Sequence, residues 1–389
     1  MRHFDGLESS ERNRLFLHEP QPFDRLDRQS SPETLAVALG ATLYVPATRP
    51  DLALDIQKVS GQGATSVVLC LEDAIPDDSV LAAEQNVISQ LRHYAQTASD
   101  APMIFVRVRA AHQIPLIVKG LDELVTILTG FVLPKFTAHS GNAFIDEVVT
   151  ASRETGHHLY VMPVVESEEV MFLETRRESL DGIKALLHRH REHVLAVRVG
   201  ATDLCAAFGV RRSRDLTIYD VRMVADVIGD VVNVLGRAGA DGFVITGPVW
   251  EYFHSGERRL KPQLRQTPFI DHDEPEARAW LIARGLDGLI REVMLDQVNG
   301  LTGKTVIHPS HVSAVHAMSV VTDEEFRDAQ DILGDELAKG GVNRSTYRNK
   351  MNEGRPHRAW AERVARRAQV FGVARPDISF ADLLSASIR

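Results

Sequence analysis

The sequence predicts a (β/α)₈ TIM barrel, and three observations carry that prediction. Eight short β-branched or apolar runs alternate with stretches of helical spacing. The alternation occupies residues 43 to 318, close to the roughly 250 residues such a barrel takes. Charged residues fall at the C-terminal ends of the runs, where a barrel gathers its chemistry. An open doubly wound sheet shares the alternation but places a glycine-rich phosphate loop after its first strand. Pro46, Ala47, Thr48 and Arg49 stand there instead.

The elements follow in order. Residues 1–40 are polar, interrupted by Pro20, Pro22 and Pro32, with apolar anchors at Leu15, Phe16, Leu17 and Phe23; they read as a surface arm. Residues 41–320 form the catalytic barrel, with strands expected at Leu43–Pro46, Ser66–Leu71, Met103–Arg109, Gly130–Pro134, Leu159–Val165, Val194–Val199, Asp241–Thr246 and Thr305–Ile307. Helical segments include Asp51–Ser60, Leu121–Thr129, Tyr219–Ala238 and Ala277–Leu295, several closing on glycines such as Gly61, Gly130 and Gly239. The stretch Gly247–Ile270 makes a long loop after the seventh strand, a lid or an oligomer contact. Residues 321–389 read as a helical extension. Its first helix, Thr322–Lys339, opens on a Thr322/Glu325 capping box, and a basic amphipathic helix spans His357–Phe371.

Composition excludes several functions. The 389 residues are 44% hydrophobic, 25% charged and 6% aromatic, as in a globular protein. With 44 Lys and Arg against 53 Asp and Glu, the formal net charge of −9 argues against nucleic acid as a partner. Apolar runs such as Val67–Leu71 fall far short of the roughly 18 residues a spanning helix needs, and Met1–Ser10 carries Asp and Glu where a signal peptide is apolar. A cytoplasmic protein is expected, without membrane attachment. Two cysteines, Cys70 and Cys205, supply no disulfide framework and no zinc site, and read as reduced packing residues.

The strand-end residues are the candidates for chemistry: Arg49, Glu72, Asp73, Arg107, Arg109, Lys135, Glu166, Asp203, Thr246 with Gly247, and His308. On the third strand Phe105, Arg107 and Arg109 share one face, which points both arginines into the barrel, as ligands or as a structural pair neutralised by Glu72 and Asp73. Glu166 shares its face with Met162 and Val164, and Asp203 sits in the loop of the next strand, roughly 4.8 Å away. Two carboxylates without nearby His or Cys suit a hard cation, Mg²⁺ first and Mn²⁺ second. The competing reading pairs Glu166 with Lys135 or Arg107 and holds no metal. The histidines at 157, 158, 188, 190 and 193 read as a solvated face, and His311 as a helix-start contact. Arg211, Arg212 and Arg214, with Arg258, Arg259, Lys261 and Arg265, mark either a phosphate site or surface charge.

An ordered series of short strings resembles the citrate lyase β-subunit-like, or HpcH/HpaI aldolase, family. The strings are Leu-Tyr-Val-Pro-Ala-Thr-Arg-Pro from Leu43, Leu-Glu-Asp-Ala from Leu71, Val-Arg-Val from Val106, Leu-Pro-Lys from Leu133, Val-Val-Glu-Ser from Val164, Val-Gly-Ala-Thr-Asp-Leu from Val199 and Gly-Lys-Thr-Val-Ile-His-Pro from Gly303. The resemblance covers roughly residues 43 to 337. It implies that Glu166 and Asp203 are Mg²⁺ ligands, that Arg107 binds the substrate carboxylate or carbonyl, and that Glu72 and Asp73 support it. It places Arg49 and Lys135 by the active site or an acyl-CoA channel, and it implies a homo-oligomer, a trimer or hexamer. Ala47 in place of glycine, Arg109 in place of asparagine and Ser167 in place of threonine mark a divergent branch whose substrate need not be a CoA thioester.

The expected function is a Mg²⁺-dependent carbon-carbon lyase or aldolase acting on a small hydroxy or oxo acid or its acyl-CoA ester, with Arg109 and His308 as further binding residues. The alternatives are an aldolase for a phosphorylated sugar-like substrate, suggested by the basic loops, and a non-catalytic metabolite-binding scaffold.

Overall fold

Eight parallel strands close on themselves in the computed structural model: β1 (Ala41–Pro46), β2 (Ser66–Cys70), β3 (Met103–Arg107), β4 (Leu128–Leu133), β5 (Tyr160–Val165), β6 (Val197–Val199), β7 (Ile245–Trp250) and β8 (Lys304–Val306). The structure describes residues 2–21, 32–97, 101–253, 286–334 and 340–387. Closure is made by β8 against β1, in the register Thr42↔Thr305 and Leu43↔Val306. The (β/α)₈ architecture expected from the sequence is the one observed.

The period-two alternation sorts the side chains as expected. Phe105 packs inside the barrel with Val68, Val132, Met162 and Val164, while Ile104, Val106 and Val108 join the larger core between strands and outer helices. Burying these runs on both faces is what makes them read as apolar stretches.

Two elements differ from expectation. The seventh strand lies at Ile245–Trp250, not Asp241–Thr246. Gly247 and Pro248 read as terminators, but they occupy a register shift between Gly247 and Trp250, where a missing backbone donor is tolerated. The helix expected at Leu121–Thr129 instead spans Gln113–Leu121. It stops because Asp122 turns left-handed (φ 55°), and a short 3₁₀ turn then leads into β4.

In the arm, the helix Ser9–Leu15 precedes a short strand, Phe16–His18, which pairs antiparallel with Val373–Ala374 of the extension. Leu15 and Phe16 are buried, whereas Leu17 is exposed. Pro22, Phe23 and most of the long loop after β7, including Arg258, Arg259, Lys261 and Arg265, lie outside the described residues. In the extension, Thr322 and Glu325 cap the helix Asp323–Leu333 reciprocally. Ala329 and Ile332 from that helix pack with Ala361, Val364 and Ala368 of the helix Arg358–Phe371. Among the described residues no helix is long and apolar enough to cross a membrane.

Candidate active site at the barrel mouth

Arg107 is the last residue of β3, and its inward position brings its guanidinium to the rim beneath the β2, β4 and β5 ends. Its Nη2 lies 2.8 Å from Glu72 Oε2, 2.9 Å from Glu166 Oε1 and 3.5 Å from Asp73 Oδ2. Lys135, just past β4, reaches Glu72 Oε1 at 2.7 Å and Asp73 Oδ1 at 3.3 Å. Its backbone N–H donates to Glu166 Oε1 at 2.9 Å. To aim both groups Lys135 adopts a left-handed backbone (φ 46°), a strained conformation that the three contacts hold in place.

Burial and charge set the protonation of this cluster. Burial pushes the Glu166 carboxyl up to about 7, opposed by Arg107 and reinforced by the negative charge of Asp203. Glu72 is also raised, first by burial and then by its bond to Asp73. Burial works against the Asp73 charge too, but the Glu72 carboxyl, Arg107 and Lys135 together hold Asp73 below the usual carboxylate range. Of the two, Glu72 is thus the more readily protonated.

Glu166 reaches its place because Gly200 has no side chain. A Cβ at Gly200 would stand 2.0 Å from Glu166 Oε2. Gly200 also precedes the helix Ala201–Ala206, which presents Asp203 in its first turn. Asp203 is half-buried, and no ion pair reaches it among the described residues. Oε1 of Glu166 is engaged by the Arg107 guanidinium and the Lys135 N–H, while Oε2 turns toward Gly200 and the Asp203 helix. No group of three or more His, Cys, Asp or Glu converges on one point among the described residues. The donor set is two carboxylates, one of them without a counter-charge. Those residues fit a hard divalent cation that completes its shell with water and substrate oxygens.

Other sequence candidates land elsewhere. Arg49 turns outward and forms a salt bridge with Asp55, away from the cluster. Arg109 does not point into the barrel: β3 ends at Arg107, and Arg109 instead pairs with Asp77 and donates to the carbonyls of Leu71, Glu72 and Ile75. It braces the loop that carries Glu72 and Asp73. His308 stacks on Phe253 with ring centroids 5.0 Å apart, and its Nδ1 meets Ser310. Arg212 belongs to no exposed basic patch, since it is buried against Glu292 at 2.8 Å and over the Trp250 ring. His157 and His193 are buried rather than solvated and bond to the Leu128 and Leu159 carbonyls. Cys70 and Cys205 are buried and free, as expected.

The sequence reading missed a buried ionic group behind β7 and β8. Lys304 faces outward from β8 and meets Glu292 at 2.8 Å and Asp296 at 2.6 Å; Tyr219 also donates to Asp296. Lys304 had a findable signal, since Thr305 and Lys304 must lie on opposite faces of one strand. Period two also assigns Arg198 and Tyr44 to the inward faces of β6 and β1, beneath the strand-end residues.

A family model described as the C-C bond lyase of the TIM-barrel fold matches residues 33–373. The chain belongs to this family. It is a carbon-carbon lyase by that membership. No curated protein matches the lyase sequence. Among solved structures it resembles a citrate lyase from Burkholderia xenovorans (TM-score 0.59, 18% identity, covering 89% of this chain and 96% of that one). It also resembles the protein CitE from Mycobacterium tuberculosis, in complex with magnesium, acetoacetate and coenzyme A (TM-score 0.52, 19% identity, covering 86% and 99%). A Haloferax volcanii malate synthase in a magnesium and glyoxylate complex follows (TM-score 0.50, 13% identity, covering 71% and 73%). At these identities the likeness is one of fold.

Proposed function

We propose that this lyase cleaves or forms a carbon-carbon bond beside the carbonyl of a small hydroxy or oxo acid, free or as its acyl-CoA thioester, with Mg²⁺ held by Glu166 and Asp203. The observation that carries the reading is that Asp203, without an ion-pair partner among the described residues, sets its negative charge beside Glu166 at the end of the neighbouring strand. Two such carboxylates repel each other unless a cation lies between them. Mn²⁺ suits the same oxygen donors. The magnesium complexes of the Mycobacterium and Haloferax proteins support the choice, and the coenzyme A of the former supports the thioester.

A divalent ion bound there supplies electrostatic stabilisation to an enolate oxygen. The chain's own residues do the rest. Arg107 donates to the substrate carbonyl or carboxylate oxygen, and Glu72 and Asp73 keep its guanidinium charged and in place. Lys135 is an anchor and not a Schiff-base nucleophile, because its ammonium is held protonated by ion pairs with Glu72 and Asp73. His308 stands at the rim as a contact for the distal part of the substrate, and Arg109 keeps the Glu72 loop in register.

Calorimetric titration of Mg²⁺ into the wild type, Glu166→Ala and Asp203→Ala tests the metal. Heat of binding in the wild type and its loss in both variants is expected; unchanged binding in either refutes the assignment. Incubation with malyl-CoA, citramalyl-CoA and free hydroxy-oxo acids, followed by detection of released oxo acid, tests the substrate class.

A further inference from the structure

Arg198 lies at the centre of the barrel, one residue pair below the Glu166 and Gly200 level. It pairs in register with Val164 on β5 and Thr246 on β7, both on inward faces. It is only 1% exposed, and among the described residues no carboxylate pairs with it. Its Nη1 donates to Thr42 Oγ1 at 3.4 Å and Nη2 donates to Thr305 Oγ1. Beside it the Thr246 hydroxyl is buried without a hydrogen-bond partner among the described residues. A buried cation without a counter-charge contributes nothing to stability that an apolar side chain would not supply better. Its field is available for something that enters the barrel.

Tyr44 connects that field to the mouth. It sits on the inward face of β1 opposite Val68, and its ring lies 5.5 Å from the Arg198 guanidinium carbon. Unlike Arg198 it is only partly buried, and its hydroxyl is within electrostatic reach of Arg198, Arg107, Cys70 and Glu166. The cations on the other side of the mouth are already engaged: Arg107 and Lys135 bind Glu72, Asp73 and Glu166. Among the described residues, the positive potential left uncommitted is the one that reaches the mouth through Tyr44.

We propose that Tyr44 is a specificity-determining contact of this lyase, its hydroxyl positioned and polarised by Arg198 so as to donate to a second anionic group, carboxylate or phosphate, at the far end of the oxo acid. The proposal rests on the reading of the mouth as an oxo-acid site. In it Tyr44 touches the substrate, and Arg198 is a positioning residue held by Thr42 and Thr305.

Three ligands with the same 2-oxo-acid head and different C3 substituents test it: pyruvate, oxaloacetate and 3-phosphonopyruvate. Their affinities for the Mg²⁺-loaded full chain are measured by calorimetry on the wild type, Tyr44→Phe, Arg198→Met and Arg198→Lys. The wild type should bind one or both dianionic ligands at least tenfold more tightly than pyruvate, and which one identifies the second anion. Tyr44→Phe should lose most of that preference while pyruvate affinity stays within twofold. Arg198→Met should lose it as well, and Arg198→Lys should recover part of it, which a purely structural arginine would not predict. Equal affinity for all three ligands in the wild type, or full preference in Tyr44→Phe, overturns the proposal while leaving the oxo-acid site intact. Failure of the wild type to bind any of the three refutes the reading of the mouth and the proposal with it.

Discussion

One oxygen of Glu166, Oε1, accepts from the Arg107 guanidinium at 2.9 Å, and the same Arg107 nitrogen lies 2.8 Å from Glu72. A single Nη2 therefore ties the carboxylate that follows β5 to the acidic pair that follows β2. The two carboxylates reach it from opposite sides of β3, so the geometry exists only because three strand ends meet at one mouth.

Arg107→Met should be costly in a pH-dependent way. At pH 8, where Glu166 is ionised, two buried carboxylates lose their common cation, and a stability loss of about 3–5 kcal/mol is expected. At pH 6 the loss should be smaller, because a Glu166 raised to about 7 accepts a proton instead. Urea denaturation at the two pH values checks the difference.

Gly200→Ala should separate metal binding from folding. The new Cβ collides with Glu166 Oε2 and, at 2.5 Å, with Glu166 Cβ, so the carboxylate and the chain at the end of β5 must both shift. Mg²⁺ affinity should fall at least about tenfold, the cost of displacing one ligand contact. Circular dichroism should remain that of the wild type. Calorimetry together with the spectrum reads both outcomes.

Lys304→Met should destabilise without touching the mouth. Among the described residues Glu292 and Asp296 would keep only Arg212, the Ile218 N–H and the Tyr219 hydroxyl as partners in a fully buried space. A loss of about 3–5 kcal/mol is expected from removing one member of a buried ionic group. Thermal unfolding measures it, and Mg²⁺ binding at a temperature where the variant is folded should be unchanged.

His316 makes stability fall in acid. Burial holds it down to about 3, and its Nε2 accepts from the Ala41 N–H at 3.1 Å, which requires the neutral ring. The unfolded histidine titrates near its ordinary value of 6.5, so the unfolded chain binds the extra proton between those limits. This contribution is complete above about pH 6.5 and is lost as pH falls toward 3. From pH 7.5 to 5 the loss amounts to about 2 kcal/mol at 1.36 kcal/mol per pH unit. His316→Gln keeps an acceptor without a titration and should flatten the melting-temperature profile over that range.

Much of the site was legible because barrel chemistry follows strand ends. Glu72, Asp73, Arg107, Lys135 and Glu166 each stand at or just past an apolar run, and the structure brings all five together. Arg109 was misread because alternation holds only while the strand lasts, and β3 stops two residues earlier. Arg212 looked like a surface base among neighbours of the same kind. Nothing local reveals that a glutamate 80 positions away buries it.

The order of apolar runs, their period and the charges that close them were sufficient to specify a closed eight-stranded barrel and the rim on which its reactive groups gather, since each depends on near neighbours in the chain. Tertiary structure decided which charges are already matched and which are not. Arg107 and Lys135 meet carboxylates, Lys304 is sealed behind the wall, and Arg198 is left without a counter-charge among the described residues. Those outcomes depend on distances between residues far apart in the chain, and electrostatic energy is set by such distances and by the depth of burial, neither of which a string of residues records.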